Sequence, residues 1–418
     1  MSAFMRKVYN GFDTGSDIEP AAWREALRLM NEATVDGLSR SEVPPTHEEE
    51  FYRELKHSNE VFAAFKVHSM GEKMAAKLTT PDGKLKSFRQ WAEDVRGISS
   101  HYVGSWLRTE YDTAVLRAHA AADWRLFERD KDIMPNLRWM PTTSPEPEST
   151  HRLYWQKKLT LPVDHPFWEK HHPGDRWNCK CMLEQTDEPA NPEVLEDVEE
   201  IKPQRGLENN PGKDGHTFHD THPYFPAKCS QCFAYKKSGF KNRMKYLFAN
   251  KTKDCYNCPY IDRCIKQSSI HEYDNQRWEH TYVPKERKGY VVTEKTRIEE
   301  AKASKNEMIK FKKEMNMCKV AANNGHEIEY LHGNNRTNGQ TFDINFDGIP
   351  TDLKSTDGYG NIVKYIGKAY KKQGAKAVLI EVAEVNKTLI EKFGEAKRKY
   401  SVKIFYYVKT DEIIHEFK

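Results

Sequence analysis

The chain has 418 residues, of which 38% are hydrophobic and 31% are charged, and its formal net charge is +4. This length is too great for one ordinary hydrophobic core, so two or three domains are expected. No stretch approaches the roughly 18 consecutive apolar residues of a membrane-spanning helix, and residues 1–14 lack the apolar centre of a signal peptide. We therefore expect no membrane-spanning helix and no membrane partner, and a chain that is kept in a cytosol.

Residues 17–130 are predicted to be mainly helical. Tryptophan and aliphatic side chains recur there at helical spacing, as at Trp23, Ala26 and Met30. Residues 138–181 then form an irregular segment that is rich in proline, histidine and tryptophan. These patterns predict a mainly α-helical N-terminal module with a small irregular α+β part.

The irregular segment contains several side chains that could bind a metal ion. They are His151, His165, His171, His172, Cys179 and Cys181. A Cys-x-Cys pair cannot easily supply two ligands of a tetrahedral zinc ion without strain, unlike a Cys-x2-Cys pair. We therefore favour packing and polar roles for this group over a metal site.

The same region resembles a known family. A predicted helix with Thr109, Glu110 and Thr113 precedes a strand-and-turn region that closes on the motif Cys179-Lys180-Cys181. This arrangement resembles the head-morphogenesis family typified by the minor head protein F of phage Mu, in which Cys-Arg-Cys is usual at the closing position. The resemblance covers roughly residues 17–185. It implies a structural protein inside a phage capsid, near the portal, with portal and capsid proteins as partners.

The charge pattern changes sharply after this module. Residues 184–200 contain eight acids and no Lys or Arg, which indicates a solvated linker. Residues 228–253 contain eight Lys or Arg and no acid. The predicted divisions are a head-protein-like module at 1–185, an acidic linker and connector at 186–226, a cysteine-rich insert at 227–275 and a C-terminal domain at 290–418.

Cysteine spacing predicts a structural zinc ion in the insert. In a reducing compartment, closely spaced cysteines indicate metal before disulfide. Two Cys-x2-Cys pairs have the spacing of a zinc ribbon, in which two turns complete one tetrahedral site. These ligands are Cys229, Cys232, Cys255 and Cys258, and Cys264 or His271 could replace one of them. The alternatives are reduced thiols in a linker, or an iron–sulfur cluster that uses Cys264 with the second pair.

The stretch between the two cysteine pairs is basic and carries aromatic residues, among them Phe233, Tyr235 and Tyr246. Such a composition suits phosphate contact and base stacking. The solvated face of a small ribbon in a basic protein explains the same composition equally well.

The C-terminal domain is predicted to be an α/β domain with the order helix, three strands, helix, strands. Apolar side chains recur on one face of the first helix between Met308 and Ala322, and Glu307 and Glu314 lie beside that face. The sequence Asn323-Asn324-Gly325 is expected to end this helix. Cys318, on the apolar face, is expected to be a core residue.

A hairpin in this domain is predicted to bring two aspartates together. Asp347-Gly348 is a strong hairpin signal. With those residues as the loop, Asp343 lies opposite Asp352, with Cα atoms about 4.5 Å apart, and Lys354 shares their face. Facing carboxylates repel each other without a counter-charge, and oxygen ligands suit Mg²⁺ or Mn²⁺. The sequence therefore predicts a metal-dependent site, in which Lys354 orients water or stabilises developing negative charge.

This pattern resembles the PD-(D/E)XK nuclease superfamily over about residues 300–418. The resemblance implies catalytic roles for Asp343, Asp352 and Lys354, and a further metal ligand from the preceding helix, which is Glu314 or, as second choice, Glu307. Gln373, on the following helix, is placed with the catalytic group. The lysines of that helix are expected to bind the nucleic-acid backbone; they are Lys364, Lys368, Lys371 and Lys372.

The layout is also similar to toxin domains of contact-dependent inhibition systems and of polymorphic toxins on phage head proteins. Some of those belong to the barnase–EndoU–colicin–RelE ribonucleases, which need no metal; in that case Lys354 would act on RNA with Ser355, Thr356 or His326. We expect a phage or prophage minor head protein, located in the virion and the host cytoplasm, whose nuclease effector cleaves RNA (tRNA included) or DNA. An immunity protein is a further partner to look for. The alternative is a structural virion protein whose C-terminus only binds DNA.

Overall fold

The computed structural model describes residues 1–41, 49–142, 144, 150–196, 202–237, 253–270, 273, 276–284, 289–332 and 341–417. These residues form two compact units, Met1–Ile265 and Lys266–Lys418. The chain is therefore multidomain, and it combines helices with a mixed β-sheet. In the part of the chain that is described, no helix combines the length and the apolar character that crossing a bilayer requires.

The first unit begins with helices, as predicted. They are α1 (Ser2–Tyr9), α2 (Pro20–Leu38), α3 (Glu49–Ala75), α4 (Phe88–Asp94), α5 (Arg96–Val103) and α6 (Ser105–Asp130). Helix α2 starts where the Glu19 carboxylate accepts a hydrogen bond from the Ala22 amide, with Pro20 in the first turn. Trp23 and Met30 of this helix are buried in the same core as Phe62 of α3.

A small antiparallel sheet follows α6. Its strands are β1 (Asn136–Met140), β2 (Thr160–Pro162) and β3 (Met182–Thr186), in the order β2-β1-β3, and helix α7 (Arg152–Gln156) lies between the first two in sequence. Trp139 and Trp168 are buried here together with Trp124 of α6. This is the irregular α+β part that the sequence predicts.

The division predicted from charge differs from the division in the structure. The start of the acidic stretch lies in strand β3, and Pro192–Leu195 forms a 3-10 turn, while residues 197–201 lie outside the described residues. The connector is part of the first unit's core, because Phe218 stacks on Phe62 with ring centroids 4.4 Å apart. Tyr256 of the insert is buried in that core too. The connector and the cysteines of the insert therefore belong to the helical unit, since aromatic packing rather than net charge decides where a compact unit ends.

The rest of the first unit consists of short helices and one longer helix. They are α8 (Pro211–Asp214), α9 (Phe233–Lys237) and α10 (Pro259–Ile270), and the last of these crosses the boundary between the units. Most of the basic stretch between the cysteine pairs, residues 238–252, lies outside the described residues.

The second unit is a mixed sheet with the strand order β11-β10-β9-β8-β7-β6-β5-β4. The strands are β4 (Trp278–Tyr282), β5 (Tyr290–Glu294), β6 (Glu327–Tyr330), β7 (Ile344–Phe346), β8 (Ile349–Thr356), β9 (Ala377–Val382), β10 (Lys403–Val408) and β11 (His415–Phe417). The helices are α11 (Lys295–Lys302), α12 (Lys305–Asn323), α13 (Ile362–Gln373) and α14 (Lys387–Lys399). Helix α12 ends before Gly325, whose φ of +97° is a left-handed conformation that glycine adopts without strain.

The centre of this unit has the order α12-β6-β7-β8-α13-β9, which agrees with the predicted helix, three strands, helix and strands. Strands β6, β7 and β8 form an antiparallel meander, and β9 pairs in parallel with β8. Buried side chains of α12 share a core with Leu353 and Leu379. Buried side chains of α13 share the opposite core with Val378 and Ile380. The two helices therefore cover opposite faces of the same strands.

Candidate active site and metal-binding groups

The predicted hairpin is present with the predicted register. Strand β7 pairs with β8 through Ile344 and Thr351, Asn345 and Pro350, and Phe346 and Ile349. The loop residues Asp347 and Gly348 both have positive φ, +49° and +78°, as a type I′ turn requires. This register brings Asp343, which directly precedes β7, next to Asp352 of β8.

Asp343 and Asp352 form a buried acidic pair. Asp352 has no exposed surface, and the Oδ2 atom of Asp343 accepts a hydrogen bond of 2.9 Å from the Leu353 amide. Burial, and next the charge of Asp352, raises the pKa of Asp343 to about 6. The pair therefore holds a proton, or requires a cation, at a pH where ordinary aspartates are fully ionised.

Lys354 and Gln373 both contact Asp352. The Lys354 ammonium forms an ion pair with Asp352 Oδ2. Gln373, the last residue of α13, donates a hydrogen bond of 2.6 Å from Nε2 to Asp352 Oδ1. The Gln373 Oε1 atom is buried and has no hydrogen-bond partner among the described residues. Four of the predicted catalytic residues thus lie together, and Lys354 supplies a counter-charge that the sequence argument assigned to a metal ion alone.

Glu314 does not join this group in the structure. Its carboxylate is bound by Arg297, at 3.3 Å, and by the Tyr330 hydroxyl. Helix α12, which carries Glu314, packs on the face of Leu353, whereas Asp352 lies on the other face of the strand. Among the described residues, no three acidic side chains here lie close enough to share one ion. The expectation that Glu314 reaches over to the aspartates is therefore corrected, and its second choice, Glu307, lies in the first turn of the same helix.

Helix α12 also carries a buried cysteine, Cys318, whose pKa depends on both Glu314 and Asp343. Burial, followed by the charges of Glu314 and Asp343, raises the pKa of the Cys318 thiol. Cys318 has no exposed surface, which confirms the predicted core position. Both carboxylates therefore disfavour ionisation of this buried thiol.

The residues considered for metal-independent chemistry are engaged elsewhere. His326 Nδ1 lies 2.8 Å from Asp347 Oδ2 in the hairpin turn. Ser355 donates to Glu381 at 2.6 Å, and Thr356 donates to the Gly358 carbonyl. None of these hydrogen bonds involves Lys354, whose ammonium is paired with Asp352.

The lysines predicted to bind nucleic acid lie on one helix. Lys364, Lys368, Lys371 and Lys372 are all exposed on α13, the helix that ends in Gln373. Lys371 also lies over the Tyr400 ring, 5.4 Å from its centroid. The exposed side of α13 therefore carries four positive charges and leads to the acidic pair.

The two cysteine pairs of the insert share one neighbourhood. The Cys258 and Cys229 thiols each contribute to the pKa of Cys232, which burial, as the main cause, raises to about 11. Cys232 accepts backbone N–H bonds from Ala234 and Tyr235, two and three residues later. Cys258 accepts the corresponding bonds from Tyr260 and Ile261. Each pair thus closes the same N–H···S turn, although no three of these sulfur atoms lie within 4.8 Å of one another among the described residues.

A different group is closer to metal-binding geometry. The ligand atoms of His151, Cys179 and Cys181 lie within 4.8 Å of one another, and all three residues are buried. This group could hold a metal ion. Burial opposes protonation of His151, but hydrogen bonds with Asp175 and Cys179 raise the pKa of His151 to about 10. All three residues are recognisable in the sequence as possible metal ligands, but the strain expected of a Cys-x-Cys pair favours packing and polar roles.

The other histidines of that segment have polar and packing roles, as expected. His165 accepts a hydrogen bond from the Phe167 amide at the start of a 3-10 turn. Both ring nitrogens of His172 face carbonyl oxygens, of Pro173 at 2.7 Å and of Asn209 at 2.8 Å. His171 stacks on Phe167.

Comparison of the chain with protein-family models, with curated proteins and with solved structures finds no match.

Proposed function

We propose that the chain is a phage-encoded minor head protein whose second unit is a metal-dependent nuclease. The observation that carries the nuclease part is the buried pair Asp343 and Asp352, with Lys354 and Gln373 in contact with Asp352. Helix α12 before this hairpin supports it, because the PD-(D/E)XK resemblance places the two aspartates and the lysine after a helix that carries an acid.

The residues present fit a divalent cation. The donors at the site are oxygen atoms, which Mg²⁺ and Mn²⁺ prefer. The buried and unpaired Oε1 atom of Gln373 is a further oxygen beside the two carboxylates. Asp343 and Asp352 would hold the ion, which when bound polarises a phosphodiester and lowers the pKa of its water.

The protein's own groups have distinct tasks in this proposal. Lys354 stands beside Asp352, where its charge can stabilise negative charge that develops on a phosphate. Gln373 fixes the orientation of the Asp352 carboxylate through Oδ1. The exposed lysines of α13 would bind the phosphate backbone, so affinity should fall as salt rises.

The head-protein part of the proposal depends on the sequence resemblance. In the structure Glu110 and Thr113 of its marker residues are buried on helix α6, whereas Thr109 is partly exposed. The Glu110 carboxylate contacts Lys66 at 2.5 Å and accepts a hydrogen bond from Tyr224. Nothing in that contact demands catalysis, because Lys66 supplies a counter-charge and Tyr224 a hydrogen bond to a buried acid. A structural role is the simpler proposal for this unit.

A cleavage assay on the full chain tests the nuclease. Purified protein is incubated with tRNA, total RNA, single-stranded DNA and duplex DNA in Mg²⁺ or Mn²⁺. Asp352→Asn and Lys354→Met should each lower the rate by at least about 100-fold, because the first removes a charged ligand of the cation and the second removes the positive charge beside the phosphate. Asp357→Asn is the matched control, since Asp357 is an exposed carboxylate paired with Lys409 just beyond β8.

Adding a chelator distinguishes the metal-dependent nuclease from the metal-independent ribonuclease and from the structural virion protein. Excess EDTA should abolish cleavage, and Mg²⁺ should restore it. Cleavage of RNA alone that persists in EDTA would replace the metal mechanism with the ribonuclease alternative. Salt-dependent DNA binding without any cleavage would favour the structural virion protein.

A further inference from the structure

The first unit holds a buried cluster that the proposed nuclease does not use. His151, Cys179 and Cys181 are 0%, 2% and 6% exposed. The Nδ1 atom of His151 lies 3.3 Å from the Cys179 sulfur and 3.8 Å from the Cys181 sulfur. Bonds of about 2.3 Å to sulfur and about 2.0 Å to nitrogen at the tetrahedral angle separate such atoms by about 3.6 Å. The nitrogen therefore lies at about the separation of a zinc ligand from each sulfur, and all three ligand atoms lie within 4.8 Å of one another.

The other side of the imidazole is fixed as in a metal site. His151 Nε2 lies 2.7 Å from Asp175 Oδ1, and Asp175 is 1% exposed. A carboxylate that accepts the proton of one ring nitrogen leaves the lone pair of the other for a metal and orients the ring. Here the second nitrogen is the one that faces the two sulfurs.

The fold brings both sulfurs of the Cys-x-Cys pair to the same imidazole, since the three ligand atoms lie within 4.8 Å of one another. Asn178, directly before Cys179, has a φ of +62°, a left-handed conformation that asparagine tolerates better than most residues. Four residues earlier, the Gly174 carbonyl accepts a hydrogen bond of 2.7 Å from buried Arg117 of α6. The loop that places both sulfurs on one side is therefore held by helix α6 through this hydrogen bond.

We propose that His151, Cys179 and Cys181 bind Zn²⁺, at a site separate from the four cysteines of the insert. Two thiolates and one imidazole favour Zn²⁺ over the oxygen-preferring Mg²⁺. Both cysteines line a cavity of about 820 Å³, from which water can fill the fourth position. The ion joins the residue before α7 to the residue before β3, and so closes a small subdomain.

Zinc content of the full chain tests this site. Protein is purified with a phosphine reductant, and its metals are counted by mass spectrometry. Cys181→Ser and His151→Gln should each hold one zinc fewer than the wild type. Cys318→Ser is the matched control, because Cys318 is a buried cysteine of the other unit, and it should keep the full content. A Cys229→Ser/Cys232→Ser variant must still hold the zinc that Cys181→Ser loses.

A second measurement tests the site even if Cys181→Ser or His151→Gln fails to fold. Asp175→Asn keeps all three ligands and should weaken zinc binding about 10- to 100-fold in competition with a chromophoric chelator. Cobalt is added to metal-free protein in which the insert cysteines are replaced, and it should give thiolate charge-transfer absorption. The further substitution Cys181→Ser should remove that absorption. Equal zinc in Cys181→Ser and wild type, iron in place of zinc, or a Cys179–Cys181 disulfide in place of a metal would each overturn the proposal.

Discussion

Asp343 is placed where its ionised form is disfavoured unless a cation is bound. Its pKa near 6 lies above the ordinary value of 3.8 because the carboxyl is buried and faces Asp352. The folded protein therefore binds this proton more tightly than the unfolded chain does. Stability contributed by the proton is complete below pH 4 and is lost as the pH rises through about 6. At about 1.4 kcal/mol for each pKa unit, the loss is on the order of 3 kcal/mol.

Asp343→Asn should therefore stabilise the metal-free protein at pH 8. The amide oxygen can still accept the Leu353 N–H bond, and the new amide group can donate to Asp352 instead of repelling it. We expect a gain of about 1–3 kcal/mol at pH 8 in EDTA and little gain at pH 4, measured by urea unfolding. Mg²⁺ should then stabilise the wild type more than the variant.

The control for this prediction is Asp357→Asn, which removes an exposed carboxylate whose pKa is lowered by Lys409. It should not stabilise the protein at either pH. A variant Asp343→Asn that is no more stable than the wild type at pH 8 would show that the acidic pair carries no repulsion. Cleavage by the wild type should rise as the pH increases through about 6, because the ionised carboxylate is the form that binds a cation.

At the scale of elements, the hairpin decides where the aspartates lie. A shift of one residue in the pairing of β7 and β8 would move every side chain to the other face. The turn is held at the start of β6, since the Asp347 carboxylate accepts a hydrogen bond from the Glu327 amide and contacts His326. The register is therefore fixed by a two-residue loop and by its docking on β6.

Gly348→Ala should destabilise the second unit by about 1–2 kcal/mol. A Cβ atom at this position meets no other atom within 4 Å, so the only penalty is the left-handed φ of +78°. Gly358→Ala is the matched control, because its Cβ atom is equally free and its backbone is not left-handed. It should be neutral or slightly stabilising. Equal unfolding midpoints for the two variants in urea would contradict the role given to the turn.

The hairpin and the helix before it differ in how far the sequence determines them. Asp347-Gly348 predicts the loop, and the loop alone predicts that Asp343 meets Asp352, because both steps are local. The position of Glu314 depends on which face of the sheet α12 covers, and its binding by Arg297 and Tyr330 involves a residue of another helix and a residue of β6. Such contacts are long-range, and helical periodicity does not contain them.

The His151 group was missed for a similar reason. The spacing of Cys179 and Cys181 alone suggests strain, whereas the left-handed conformation of Asn178 and the hydrogen bond from Arg117 to Gly174 are features of the preceding loop that this spacing does not contain. These are properties of the folded backbone. A sequence pattern can name the ligands, but the loop that carries them is bound by Arg117, which lies 57 residues before Gly174.

At the scale of the whole molecule, the boundary between units follows buried aromatic residues. Phe218, Phe225 and Tyr256 pack in the core of the helical unit although they follow the most acidic stretch of the chain. Charge patterns indicate which residues are solvated, but they do not reveal which later segment returns to fill a core. The acidic stretch therefore does not mark a boundary, and the change of unit occurs after Ile265.

Two units with separate cores should unfold as two events. The first unit is centred on residues such as Phe62 and Trp23, and the second on residues such as Ile366 and Leu379. A chain with two cores does not obey a two-state scheme, so differential scanning calorimetry should show two transitions. A zinc chelator should lower only the transition of the first unit, because the proposed zinc ligands all belong to it. Asp343→Asn, in metal-free buffer at pH 8, should raise only the other transition. A single transition that moves with both changes would show that the chain unfolds as one cooperative body, and the division at Ile265 would then have no energetic meaning.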